Sequence, residues 1–410
     1  MPLRATPEIV IALLRAELGT GAQPPAERLT ECDWQRFEVL AAHHGLAAIL
    51  YTALRTHTNH PPAAPMQRMK RQYFHNALRS MRANELINDV ASALAEQGIP
   101  VILLKGMALL HTLYDDPGLR PLTDVDLLVA ERDVQRAATQ LRRIGLEEVP
   151  TADVHRRGPL CHMHAVYCRS ETLPVELHWR LFESYQPYVF DLAEVWTQAR
   201  PLPALPGNVL TMSAEHELLH LCVHLERHAV AYASLLSRAD WFDLLLLPQG
   251  GGRLLWLYDV AAYLRRRSLE LDWDLFTRTA RRWAIAGRVH AVLELCTRAL
   301  GAAPPPEAMR TLDSGGPRLA DRLAHRVVLA SFIANEACRS SRRARWLAWL
   351  SGHALRASHT WTSLLPPTAY LRARYAPHSS VRALRMRHLR EVVPGLWAES
   401  RERLKHASKH

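Results

Sequence analysis

Residues Ile99–Val129, reading IPVILLKGMALLHTLYDDPGLRPLTDVDLLV, decide how the chain is interpreted. The stretch opens on an apolar run, Pro100 to Leu104, that predicts a short buried strand. Lys105-Gly106 breaks that run, and Met107 to Tyr114 continues with helical character. A turn over Asp115 to Pro121 leads into a second strand over Val125 to Val129. Strand side chains alternate, so Asp124 and Asp126 are expected on one face and the aliphatic residues between them on the other. Two carboxylates this close repel each other unless a cation lies between them. An oxygen-only set of that kind suits Mg²⁺ or Mn²⁺.

Downstream, Glu131 to Ile144 predicts a helix that stops at Gly145. Strand patterns follow at Leu146 to Val149, His164 to Cys168 and Pro174 to Trp179. In PVELHW, Glu176 and His178 share a strand face, while Val175, Leu177 and Trp179 take the other. Glu176 is thus a third acid in the same setting as Asp124 and Asp126. Three carboxylates on neighbouring strands can hold metal for in-line phosphoryl or nucleotidyl transfer. Lys105 and Gly106 supply the anion-binding half. A glycine at a strand-to-helix turn lets backbone amides approach a phosphate, the helix start favours the anion, and lysine adds a point charge. Arg120, at the head of the second strand, is placed to clamp the same phosphates. A lone D-x-D is most often a solvated strand end, and Lys-Gly alone is most often a turn; the ordered combination carries the reading.

Upstream, Ser80 to Gly98 predicts a helix with Leu86, Ile87, Val90 and Leu94 on one side. The residues before it alternate helix-like segments with breaks at Gln23 to Ala26 and Pro61 to Pro65. Beyond Pro201 the pattern is again helical, over Ser213 to Arg227, Leu254 to Arg267, Trp273 to Ala286, Val289 to Leu300 and Arg318 to Ser340. The expected fold is α+β: a small mixed sheet at 81–200, between an N-terminal helical region at 1–80 and a helical domain at 201–340 that completes the cleft. A basic Arg- and Trp-rich region occupies 341–410. Asp259, an acid inside the apolar helix LLWLYDVAAYL, is expected either to face the cleft and position substrate or to form a structural ion pair.

At 410 residues the chain exceeds one comfortable core, which favours several domains. A net charge of +11 favours polyanionic partners such as nucleotides. Nucleic acid fits the same charge, but much of the excess is arginine beyond residue 340, where a solvated basic face is the plainer reading. The six cysteines have no paired short spacing, which argues against a disulfide framework or a zinc ribbon. The N-terminus is amphipathic and no apolar run is long enough to span a membrane, so a cytoplasmic protein without a transmembrane segment is expected.

His216 to His220 reads HELLH, a literal H-E-x-x-H, which raises a zinc hydrolase as an alternative. With 22 histidines in the chain, a chance match is expected in roughly one sequence in fifteen of this composition, and Val223 and Glu226 stand where a metzincin needs Gly and His.

The series LLKG, LYDDPGLRPLTDVDLLV, VELHWRL, AEHELLHLCVHLERH and LLWLYDVA, spanning roughly Glu85 to Leu300, resembles the uncharacterised nucleotidyltransferase family of the DNA polymerase β-like superfamily. The resemblance implies a minimal nucleotidyltransferase sheet, Asp124 and Asp126 as the metal-binding pair and Glu176 as the third acid. It also implies an NTP donor, with ATP expected, and an acceptor drawn from small molecules, peptides or glycan intermediates. The chain departs from the superfamily's usual Gly-Ser turn, since Met107 follows Gly106 and Asp124 lies 18 residues beyond that glycine. A protein that keeps the fold and binds nucleotide without turnover is the second reading.

Overall fold

The computed structural model describes residues 2–55, 57, 61–149, 163–182, 190–228, 253–313 and 380–390 except 388. Four helices come first: α1 (Pro2–Glu17), α2 (Ala26–Thr30), α3 (Trp34–His43) and α4 (Ala47–Arg55). A long helix, α5 (Ala63–Ala95), leads into the sheet region of β1 (Val101–Leu103), α6 (Lys105–Thr112), β2 (Val125–Leu128), α7 (Val134–Arg143), β3 (Glu147–Val149), β4 (His164–Cys168) and β5 (Val175–His178). Then come α8 (Leu192–Thr197), β6 (Arg200–Pro201) and β7 (Val209–Thr211). The helices α9 (Ala214–His228), α10 (Leu254–Arg267), α11 (Trp273–Arg282), α12 (Ala286–Leu300) and α13 (Pro306–Asp313) follow.

The seven strands form one mixed sheet in the order β3-β4-β5-β2-β1-β7-β6. The fold is therefore α+β, as the sequence indicates. β2 runs parallel to β5 and antiparallel to β1, while β4 runs antiparallel to both β3 and β5. Two-residue periodicity explains the burial. Val125, Leu127, Val175 and Leu177 enter the core beneath α5 and α7, where they meet Leu86, Ile87, Val90 and Leu94. Asp126, Glu176 and His178 fall on the opposite face, the side on which Ile102, Leu104 and Leu128 join the larger helical core.

Several boundaries differ from those the sequence suggests. The helix expected from Ser80 begins at Ala63; its first half buries Pro65 and Met69 and also anchors the loop before β2. There Tyr73 donates to Asp116 (2.9 Å), Asn76 to the Gly118 carbonyl (3.2 Å) and Ser80 to the Pro117 carbonyl (3.0 Å). A side chain at Gly118 would lie within 2.5 Å of the Tyr73 ring, so the glycine permits this close approach. The turn before β2 is thus fixed from outside. The helix expected over Trp273 to Ala286 ends at Arg282, because Ala284 adopts a left-handed φ of 60° and a new helix starts at Ala286. The β6–β7 hairpin extends the sheet beyond β1, with β7 parallel to β1, where helix had been expected after Pro201.

The N-terminal helices and those after β7 share one core. Arg15 Nε donates to the Ala299 carbonyl (2.8 Å), the Leu254 amide to His44 Nδ1 (3.2 Å) and Arg265 Nε to the Leu18 carbonyl (3.2 Å). Cys32, Cys168, Cys222 and Cys296 carry free thiols. Among the described residues, no helix is long and apolar enough to cross a membrane. The expected helix over Arg318 to Ser340, and the tryptophan-containing part of the basic C-terminal region, lie outside the described residues.

Candidate active site

The site lies on the face of the central strands turned away from α5 and α7. Parallel pairing sets Asp126 opposite Glu176 and Leu128 opposite His178, and antiparallel pairing sets His164 opposite His178. Side chains directly opposite one another project from the same face of a sheet. His178 Nε2 lies 2.9 Å from Asp126 Oδ1 and 3.2 Å from Glu176 Oε2. The His164 and His178 rings lie 4.8 Å apart, and His164 Nε2 is 4.0 Å from Glu176 Oε2. Lys105 Nζ reaches across from the β1–α6 turn to Asp126 Oδ1 at 2.6 Å, with Glu176 Oε2 at 3.9 Å.

These charges act strongly on one another because the site is partly dry. Asp126 is 1% exposed; burial alone would raise its carboxyl, but Lys105 and His178 together hold it well below the usual carboxylate range. Asp124 goes the other way, pushed up to about 6 by burial and by the Asp126 and Glu176 charges, against the pull of Lys105. Burial opposes the charged form of Lys105, yet Asp126 and Glu176 outweigh it and raise the ammonium above its ordinary value. His178 is raised in the same way by hydrogen bonding to both acids, whereas burial and the neighbouring His178 lower His164.

The carboxyl of Asp124 therefore carries unmet repulsion from two neighbours. A divalent cation between the acids would relieve it, and three carboxylates suit Mg²⁺ or Mn²⁺ by charge and by donor type, although Asp124, Asp126 and Glu176 as placed do not form a group close enough to share an ion.

Lys105 itself sits in the left-handed region with φ 48°, a conformation uncommon for a side-chain-bearing residue. It aims the ammonium into the site at the cost of local backbone strain. Gly106, next in sequence, answers to packing: a Cβ there would collide with Arg120 Nη1 and lie 2.8 Å from Leu122 Cδ2. Arg120 is buried and bonded to Asp259 on α10, with Nη2 2.9 Å from Oδ2 and Nε 3.1 Å from Oδ1. Tyr114 donates to the same carboxylate at 2.6 Å. Arg120 and Asp259 thus form a buried brace between the helical core and the loop that carries Asp124, instead of opening onto the acid cluster.

His164 is the residue that sequence reasoning passed over. Its strand was legible, but only the register with β5 brings it to Glu176. The H-E-x-x-H residues lie elsewhere. The His216 ring stacks on Trp283 at 5.0 Å and its Nδ1 is 3.2 Å from Ser213 Oγ. Glu217 is buried, accepts from Tyr263 (3.0 Å) and Arg267 (3.3 Å), and is pushed up to about 7 by burial. Its carboxylate is committed to α10, which accounts for the motif as helix packing. Among the described residues, the one group of three potential ligands close enough to share an ion is His164, Glu176 and His178.

A solved structure, that of an antigenic nucleotidyltransferase-like protein from Paracoccidioides brasiliensis, is similar at 16% identity, with 56% of this chain and 97% of that chain covered and a TM-score of 0.31. No curated protein matches the chain. The family described as uncharacterised nucleotidyltransferase matches residues 30–301, a span holding the whole sheet and every side chain of the acid cluster, and the chain belongs to that family.

Proposed function

We propose that this protein is a Mg²⁺-dependent nucleotidyltransferase that moves a nucleoside monophosphate from an NTP, with ATP the expected donor, to an acceptor hydroxyl or phosphate. The observation that carries the reading is the register of β2 with β5, which sets Asp126 beside Glu176 with Asp124 two residues away. Asp124, Asp126 and Glu176 would hold Mg²⁺ or Mn²⁺. Such an ion, when bound, would supply positive charge against the triphosphate.

The chain's own residues do the rest. Glu176 is the most open of the acids that contact His178, at 23% side-chain exposure, so its Oε2 takes the acceptor proton. His178 Nε2, 3.2 Å away, holds that carboxylate in place. Lys105 Nζ, poised at the cleft on a strained turn, moves from Asp126 to a phosphate oxygen when the triphosphate arrives. The acceptor oxygen bonds to the α-phosphorus, the bond to the β-phosphate oxygen breaks, and pyrophosphate leaves. The Arg120–Asp259 brace fixes the loop that presents Asp124. A cytoplasmic setting suits an NTP-consuming reaction, and small molecules, peptides and glycan intermediates are the acceptor classes to try.

The 2.6 Å contact between Lys105 and Asp126 specifically favours the second reading, in which the ammonium permanently replaces the ion and nucleotide binds without turnover. Incubation with α-labelled NTPs, Mg²⁺ and an acceptor panel separates the two. Transfer of label that disappears in Asp126→Asn supports the enzyme. NTP binding with neither label transfer nor pyrophosphate release supports the silent protein.

A further inference from the structure

Two imidazoles stand against the acid cluster. His178 is 1% exposed and directs Nε2 at Glu176 and Asp126, while His164 faces it across the β4–β5 ladder. One ligand atom from each of His164, Glu176 and His178 lies within 4.8 Å of the others. We propose that these three residues, with Asp126 at the edge, form a mixed nitrogen and oxygen site for a divalent first-row transition ion, distinct in its metal preference from the Asp124–Asp126 oxygen pair. The inference deepens the reading of this pocket as a metal-dependent transferase site, and it needs no nucleotide to be tested.

Distances and donor chemistry both point this way. Metal–ligand bonds of roughly 2.0–2.1 Å set neighbouring ligand atoms about 3–3.4 Å apart. His178 Nε2 already stands 2.9 Å from Asp126 Oδ1 and 3.2 Å from Glu176 Oε2, and His164 Nε2 needs less than an ångström of closure from its 4.0 Å to Glu176. Imidazole nitrogen shifts preference away from Mg²⁺, which seeks hard oxygen ligands, toward Mn²⁺, Co²⁺ and Zn²⁺.

The test is a Co²⁺ titration of the full chain after chelator treatment, read by visible absorption with no nucleotide present. Saturable d–d bands that Zn²⁺ abolishes and millimolar Mg²⁺ leaves intact support the site. Loss of outer partners alone weakens metal sites roughly 10- to 100-fold, so His164→Gln is expected to weaken Co²⁺ binding by at least about tenfold. His164→Cys should add a sulfur-to-cobalt charge-transfer band in the near ultraviolet, a signature that a merely structural histidine would not produce. Absence of saturable Co²⁺ binding by the wild-type protein, displacement by Mg²⁺ as readily as by Zn²⁺, unchanged affinity in His164→Gln, or a His164→Cys protein that binds Co²⁺ without the new band would each overturn the proposal. Label transfer supported by Mg²⁺ alongside any of those results would leave the transferase standing without this site. Cobalt binding without label transfer would do the reverse.

Discussion

Asp126 and Glu176 face one another across the parallel β2–β5 ladder, and Lys105 Nζ stands 2.6 Å from the first and 3.9 Å from the second. One ammonium therefore sets a positive charge against both acids, as a divalent ion between them would.

Removing that ammonium should expose the repulsion. Breaking a fully buried pair costs about 3–5 kcal/mol, and because Lys105 keeps 20% of its side-chain exposure, Lys105→Met is expected to cost about 2–3 kcal/mol. Chemical denaturation measures the loss. Mn²⁺ should raise the midpoint more in the variant than in the wild-type protein, since it replaces the missing cation. Equal shifts would mean that the ion does not enter among these carboxylates.

The Arg120–Asp259 brace predicts an asymmetric mutant series. Asp259→Asn leaves a buried guanidinium uncompensated and should destabilise by about 3–5 kcal/mol. Replacing both partners with apolar residues, Arg120→Met with Asp259→Leu, should recover most of that loss, whereas Tyr114→Phe alone should cost only about 1 kcal/mol. If the double variant is worse than the single one, the pair is doing more than bracing the loop.

Gly106→Ala should destabilise by about 1–3 kcal/mol through overpacking against Arg120 and Leu122. A glycine kept only for phosphate approach would give unchanged stability and a weakened affinity for NTP. Urea midpoints and nucleotide titration of the same variant distinguish the two.

Away from the site, His44 sets a pH dependence. Burial, aided by repulsion from His43 and Arg253, holds its imidazole down at about 4, and its Nδ1 accepts from the Leu254 amide. Between about 4 and the ordinary value near 6.5, the unfolded chain binds more protons there than the folded one. Stability is therefore fully present above about pH 6.5 and falls as pH drops toward 4, by about 3 kcal/mol in all. His44→Asn keeps an acceptor and should flatten this slope, as Tm measured across that range would show.

The legible parts of the fold were those written in side-chain periodicity. Alternation in VDLL and VELH gave the strands and the shared face of Glu176 and His178, and the apolar stripe of Leu86, Ile87, Val90 and Leu94 gave the second half of α5. The first half of α5 was obscured because its buried apolar residues, Pro65 and Met69, are few and it also anchors a loop through the polar groups of Tyr73, Asn76 and Ser80. Strands of two and three residues, one containing Pro201, were too short to show a period. Register was not legible at all. It alone makes His164 a neighbour of Glu176, and it joins two segments fifty residues apart into one site. Spacing likewise could not show that Gly106 answers to Arg120, since their contact depends on how the loop before β2 folds back.

Electron paramagnetic resonance of Mn²⁺ titrated with ATP and protein reads directly whether Asp124, Asp126 and Glu176 gather a metal–nucleotide complex. Wild-type protein and ATP together should immobilise Mn²⁺ in a ternary complex, Asp126→Asn should lose it, and His44→Asn, away from the acids, should keep it. A Mn²⁺–ATP spectrum unchanged by wild-type protein, or changed equally by Asp126→Asn, would contradict that role of the three acids.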